Sequence, residues 1–160
     1  MKVRAFAAPI AAAALLAALP VAGASASRAS VKAALKAALN ADNAQIAAAN
    51  SHLSTALAEY DSSKNAPAVE AAIGEELTVL RSLRATVKAQ STDGHPLIHY
   101  GKTEMLYGLN ALMASYGHLS NTFADATTNP KKAKQEALRY LKADQRAERD
   151  LQHGEKALSH

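Results

Sequence analysis

The sequence contains no cysteine and no tryptophan, and among its 160 residues there are only two phenylalanines and five tyrosines. Without cysteine there can be no disulfide framework, thiolate zinc site, cysteine nucleophile, thioether-linked haem or lipidated N-terminal cysteine. Glycine and proline are also scarce, at seven and five. That scarcity leaves long stretches without a helix breaker. What is plentiful is alanine, which supplies half of the 49% hydrophobic content while the mean hydropathy stays slightly negative, at -0.13.

The longest apolar run lies at the start. Lys2 and Arg4 precede an uncharged stretch from Ala5 to Leu19, Pro20 breaks it, and the small residues Val21 to Ala26 follow. A positive start, a short apolar segment and a small-residue site make up a secretory signal peptide. The apolar segment is shorter than the roughly 20 residues that a membrane-spanning helix requires. Residues 1–26 are therefore expected to be a cleavable signal, cut after Ala26 or, as the other choice, after Ala24. Residues 27–160 are expected to form a single domain of an exported protein, secreted or in the periplasm or cell envelope, and the alanine-rich signal has a bacterial character.

Loss of Lys2 and Arg4 would lower the formal charge from +4 to +2. The calculated pI of 9.4 thus overstates any preference for nucleic acid, whose binders concentrate positive charge on one face. No nucleic-acid partner is expected.

The rest of the chain has helical periodicity throughout and no strand signal. A first segment runs from about Ser27 to Tyr60, with Leu39, Ile46, Leu53 and Tyr60 seven apart and a polar cluster at Asn40, Asp42 and Asn43 that marks a potential kink. A second opens at Pro67 and carries Val69, Ile73, Leu77, Leu80, Leu83 and Val87 as far as the turn cluster Ser91–Gly94. The third, from Pro96 to about Ala126, has the strongest pattern, with Ile98, Met105, Leu112 and Leu119 in one row and Leu109, Tyr116 and Phe123 in another. The fourth follows Asn129-Pro130, a capping residue with proline in the first turn. Its apolar stripe is weak, and its polar face is expected to carry opposite charges four apart, Lys132/Glu136 and Arg146/Asp150. Short connections favour antiparallel neighbours. The expected fold is all-α, an antiparallel up-down-up-down four-helix bundle; a helical hairpin that completes its core as a homodimer is the alternative.

Six histidines raise a metal or haem hypothesis. A di-iron bundle takes two ligands from Glu-x-x-His, but no glutamate here has a histidine three residues later, and no zincin HExxH occurs. His52 and His99 are the two histidines nearest the core faces and are the candidates for an axial haem pair or a divalent ion. No cofactor is otherwise indicated. Nor is there a nucleophile elbow, an SxxK motif or a glycine-rich phosphate loop, so no enzyme activity is expected. Glu75 and Glu76 are adjacent on a helix and point about 100° apart, too divergent for a shared-proton dyad.

Two features suggest contact surfaces. In the third segment Gly101, Gly108 and Ser115 lie seven apart beside Tyr100 and Tyr107. Helical glycine costs roughly 1 kcal/mol relative to alanine, so the row implies either a close helix crossing or an aromatic-walled surface groove, with Lys102 and Asn110 within reach. In the fourth, Lys131, Lys132 and Lys134 place positive charge at a helix start, where the macrodipole disfavours it; this could dock an anionic envelope polymer or lipid headgroups. The function expected is that of a binding or structural module whose partner is a protein, peptide or envelope polymer.

Overall fold

The computed structural model describes residues 27–159; the signal-peptide expectation and its cleavage site lie outside the described residues. The described chain is all-helical. Helix α1 spans Arg28–Asn40, α2 Asn43–Ser63, α3 Ala66–Ala89, α4 Pro96–Asp125 and α5 Pro130–Ser159. The first segment of the sequence pattern is therefore two helices, broken at Ala41 and Asp42. Asp42 leaves helical geometry (φ -103°, ψ 10°), and Asn43 donates to the side chain of Asn40 across the break. The interruption falls in the polar cluster Asn40, Asp42 and Asn43, residue types of low helix propensity.

Capping follows the sequence cues. Ser27 accepts from the Ser30 N–H, Asn65 from Ala68 and Asn129 from Lys132, with proline in the first helical turn in the last two cases. Helix α2 ends at Lys64 in the left-handed region (φ 53°), with the Lys64 N–H donating to the Tyr60 carbonyl. Gly94, at φ 76°, turns the chain between α3 and α4. There Lys102 donates to the carbonyls of Lys88 and Gln90, satisfying the exposed end of α3.

The core is one cluster drawn from α1 to α5. Leu35, Val69, Ile73, Leu80, Val87 and Ile98 are its most completely buried large side chains. Tyr60 closes one end by packing edge-on to Phe123 at 4.6 Å between ring centres. Both apolar rows expected on α4 face inward. On α3, however, the core line runs through Val69, Ile73, Glu76, Leu80, Leu83 and Val87, and Leu77 is only partly buried.

The helices are not equally intimate. Helices α4 and α5 make by far the closest pairing; α2 packs on α3, α3 on α4, and the short α1 on α3 and α4. A β-carbon added at Gly108 would lie 2.6 Å from Leu151 Cγ, and one at Gly154 2.7 Å from Met105 Cγ and 3.0 Å from the Gly101 carbonyl oxygen. Backbone meets backbone here, which only glycine permits.

Candidate functional site

The glycine row serves packing. Gly101, Gly108 and Ser115 are buried under α5, with Gly101 facing Leu158 and Gly108 facing Leu151. They cannot line a surface groove while α5 is in place, and this corrects the groove expectation for the glycines. Its polar partners are engaged as well: Lys102 caps α3, and Asn110 accepts from Arg84 Nε at 2.6 Å. The tyrosines remain. Tyr100 is 49% exposed and Tyr107 52%, and Leu97, at 55%, shares their face of α4.

Along the α4–α5 seam the two helices run antiparallel and join through charged side chains. Asp125 pairs with Lys132 at 3.0 Å, His118 with Glu136 at 2.7 Å, and Glu104 with His153 at 3.8 Å. His118 faces α5. Glu136 is 4% exposed and Asp150 5%, so these two acids of α5 are turned inward, while Glu148 and Glu155 stay exposed. Arg139 reaches down to Glu136, and Arg146 and Arg149 reach down to Asp150. Of the two ion pairs expected four apart, Arg146/Asp150 forms, whereas Lys132 takes Asp125 in place of Glu136. The hydrogen bond from His118 is the main influence holding the Glu136 carboxyl below its ordinary value, with Arg139 adding to it and burial opposing.

A second feature is a carboxylate in the core. Glu76 is 1% exposed, and its Oε1 has no hydrogen-bond partner. Burial pushes its carboxyl from 4.5 up to about 7. Tyr116 on α4 has its hydroxyl raised by burial first and then by the charges of Glu76, Tyr140 and Asp144. Asp144 on α5 is itself raised, by burial and then by Glu148. Three helices thus bring titratable groups together. Sequence reasoning missed Glu76, although its place in the series 69, 73, 76, 80, 83, 87 is a legible signal for an inward side chain. Its neighbour Glu75 points outward to His52 at 2.8 Å, so the two carboxylates diverge as expected.

The histidine pair does not assemble. His52 sits on the rim of a shallow depression between α2 and α3, paired with Glu75. His99 contacts Thr92 at 3.0 Å in the α3–α4 turn, near the end of α3 that Lys102 caps. Glu75 and Lys88 are thirteen residues apart on α3, which places the two sites roughly 20 Å apart along that helix. No single haem or metal ion can bridge them, and this corrects the His52/His99 expectation. Among the described residues, no group of three or more His, Asp or Glu side chains is arranged to hold a metal ion.

Compared with protein-family models, curated proteins and solved structures, the chain matches none. Any functional reading therefore rests on the surfaces themselves. Of the sequence-derived candidates, Tyr100, Tyr107, Lys131, Lys132 and Lys134 are exposed, and Gly101 and Gly108 are not.

Proposed function

We propose that this protein is an exported helical module that works by binding, with the Leu97–Tyr100–Tyr107 face of α4 as a contact surface for a protein, a peptide or an envelope polymer. The observation that carries this reading is the half-exposure of two tyrosines and a leucine on one face of a helix whose other sides are buried. Tyrosine offers an apolar ring with a wet hydroxyl, and side chains of this kind are enriched at contact surfaces. A second copy of the chain is among the partners such a face would accept. The antiparallel α3–α4 and α4–α5 pairings support an up-down-up-down bundle as the order of the whole. No helix of the described residues is long and apolar enough to cross a membrane. The export part of the proposal rests on residues 1–26 alone.

Two experiments test the reading. The Tyr100→Ser/Tyr107→Ser variant should keep its fold, with stability changed by no more than about 0.5 kcal/mol per site, as at other exposed positions, and should lose retention on the envelope fraction of the producing cells. Equal retention by both forms would sink the tyrosine surface. For export, the mass of protein recovered outside the cytoplasm should correspond to a chain starting at Ser27 or Ser25; an intact Met1 terminus there would overturn the signal.

A further inference from the structure

Helix α5 sorts its charges by row. Taken in steps of seven, Lys132, Arg139, Arg146 and His153 form one row, and Gln135, Lys142, Arg149 and Lys156 form the adjacent row. Rows offset by three and four residues lie side by side on a helix, so these two make a single stripe. All eight side chains are exposed, and none is acidic. From Lys132 to Lys156 the stripe is about 36 Å long at about 1.5 Å per residue. The exposed acids of α5, Glu148 and Glu155, fall in a different row together with Lys134 and Leu141. Its buried acids, Glu136 and Asp150, lie beneath the stripe.

A merely solvated face mixes the two signs along its surface. Here Glu136 and Asp150 are tucked under the arginines, and Glu148 and Glu155 lie on another row, so the stripe itself carries no acid. Arg139, Arg146 and Arg149 stay more than half exposed while their guanidiniums rest on a buried carboxylate. Side chains held in this way lose less freedom when a ligand arrives, and each retains outward N–H donors. Lys142 and Lys156 carry no ion pair among the described residues and add free charge between and beyond the arginines.

We infer that this stripe is a docking surface for linear inorganic polyphosphate, a single unbranched chain of phosphate groups. Shape argues for a chain: the stripe is straight and one helix wide. It argues against a bilayer surface, because an interfacial helix must offer an apolar face to the lipid, and the apolar face of α5, the exposed Leu138 apart, is turned to α4. The geometry of Arg149 favours phosphate. Arg149 already spends its Nε–Nη2 edge on Asp150, so the donors left to a ligand approach end-on. A tetrahedral phosphate accepts these from many directions, whereas a planar carboxylate is best met by the bidentate edge. The inference extends the expected basic patch at Lys131, Lys132 and Lys134 along the full helix, and it is independent of the tyrosine surface.

The test uses the purified full chain and long-chain inorganic polyphosphate, with binding followed by anisotropy over a salt series. Affinity should fall with salt on a log–log slope of at least about −2, since each neutralised phosphate contributes roughly −0.7 on a single-stranded chain. Lys142→Gln/Arg149→Gln/Lys156→Gln should weaken binding at least tenfold and make the slope shallower by roughly 2. The milder Lys142→Gln/Lys156→Gln variant touches no ion pair, so it reports on the surface even if loss of Arg149 disturbs Asp150. Tyr100→Ser/Tyr107→Ser should bind polyphosphate unchanged, which separates failure of this proposal from failure of the tyrosine reading. Absence of binding, equal binding by the charge variants, tighter binding to anionic phospholipid vesicles or duplex DNA than to polyphosphate, or full competition by monomeric phosphate at equal phosphate concentration would each overturn it.

Discussion

Glu76 is the residue at which sequence pattern and chemistry disagree most sharply. It occupies a core position of α3 where the periodicity calls for leucine, with an unpartnered oxygen and a carboxyl raised to about 7 by burial. The fold therefore holds this proton more tightly than the unfolded chain does. The stability that Glu76 contributes is fully present below about 4.5, declines as pH climbs toward 7, and levels off above that, at no more than about 1.4 kcal/mol per pH unit. Asp144, also raised, acts in the same direction, and Tyr116 and Tyr140 face the same cluster. Glu136 acts oppositely: its lowered carboxyl favours the fold above the ordinary carboxylate range and loses that contribution as acid protonates it. Urea unfolding should therefore give higher stability at pH 5 than at pH 8. Glu76→Gln, which cannot ionise, should flatten most of that difference and be more stable than the parent at pH 8. An unchanged pH profile in the variant would place the dependence elsewhere.

At the scale of the helix, glycines that look alike in the sequence divide into two kinds. Gly101, Gly108 and Gly154 sit where α4 and α5 approach closest; Gly74 and Gly117 have nothing within 4 Å of an added β-carbon. Gly108→Ala would set a methyl 2.6 Å from Leu151 Cγ and 3.0 Å from the Leu151 backbone nitrogen, and it is expected to cost about 1–3 kcal/mol, the usual range for overpacking. Gly74→Ala and Gly117→Ala should each stabilise by about 0.5–1 kcal/mol, the helical advantage of alanine. Thermal melts of the three variants check both signs, and a stabilised Gly108→Ala would show that the α4–α5 crossing is not tight. The heptad spacing of the glycines was legible from the start. Which side another helix covered was not, because periodicity reports that a row is special without naming its neighbour.

For the whole molecule, the uneven pairing of helices implies uneven stability. Helices α4 and α5, thirty residues each and closest to one another, should exchange their amide hydrogens most slowly. The short α1, followed by the break at Ala41 and Asp42, should exchange fastest, since local opening tracks sparse packing. Equal protection in α1 and α4 would contradict this ordering. Most of the helical content was readable in advance: Pro67, Pro96 and Asn129-Pro130 mark three helix starts, and the two apolar rows of α4 are its buried faces. The break inside the first segment was readable only as a polar cluster, because the low helix propensity of Asn and Asp weakens a helix without fixing where it stops.

The surfaces were less legible than the fold. The fourth segment seemed to display opposite charges along one polar face, and Lys132 seemed paired with Glu136. In the folded chain α4 takes the acids: His118 claims Glu136, Asp125 claims Lys132, and Asp150 turns inward beneath two arginines. What remains outside is a row of cations that no count of net charge reveals. By itself the sequence determined the all-helical character, most helix starts and the absence of cysteine chemistry, because capping, periodicity and composition act over a few residues. Only the tertiary structure decided which glycines are covered, which histidines stay apart, that Glu76 is buried and that Glu136 and Asp150 turn inward. Each of these depends on what a neighbouring helix offers, and a linear pattern does not record its neighbour.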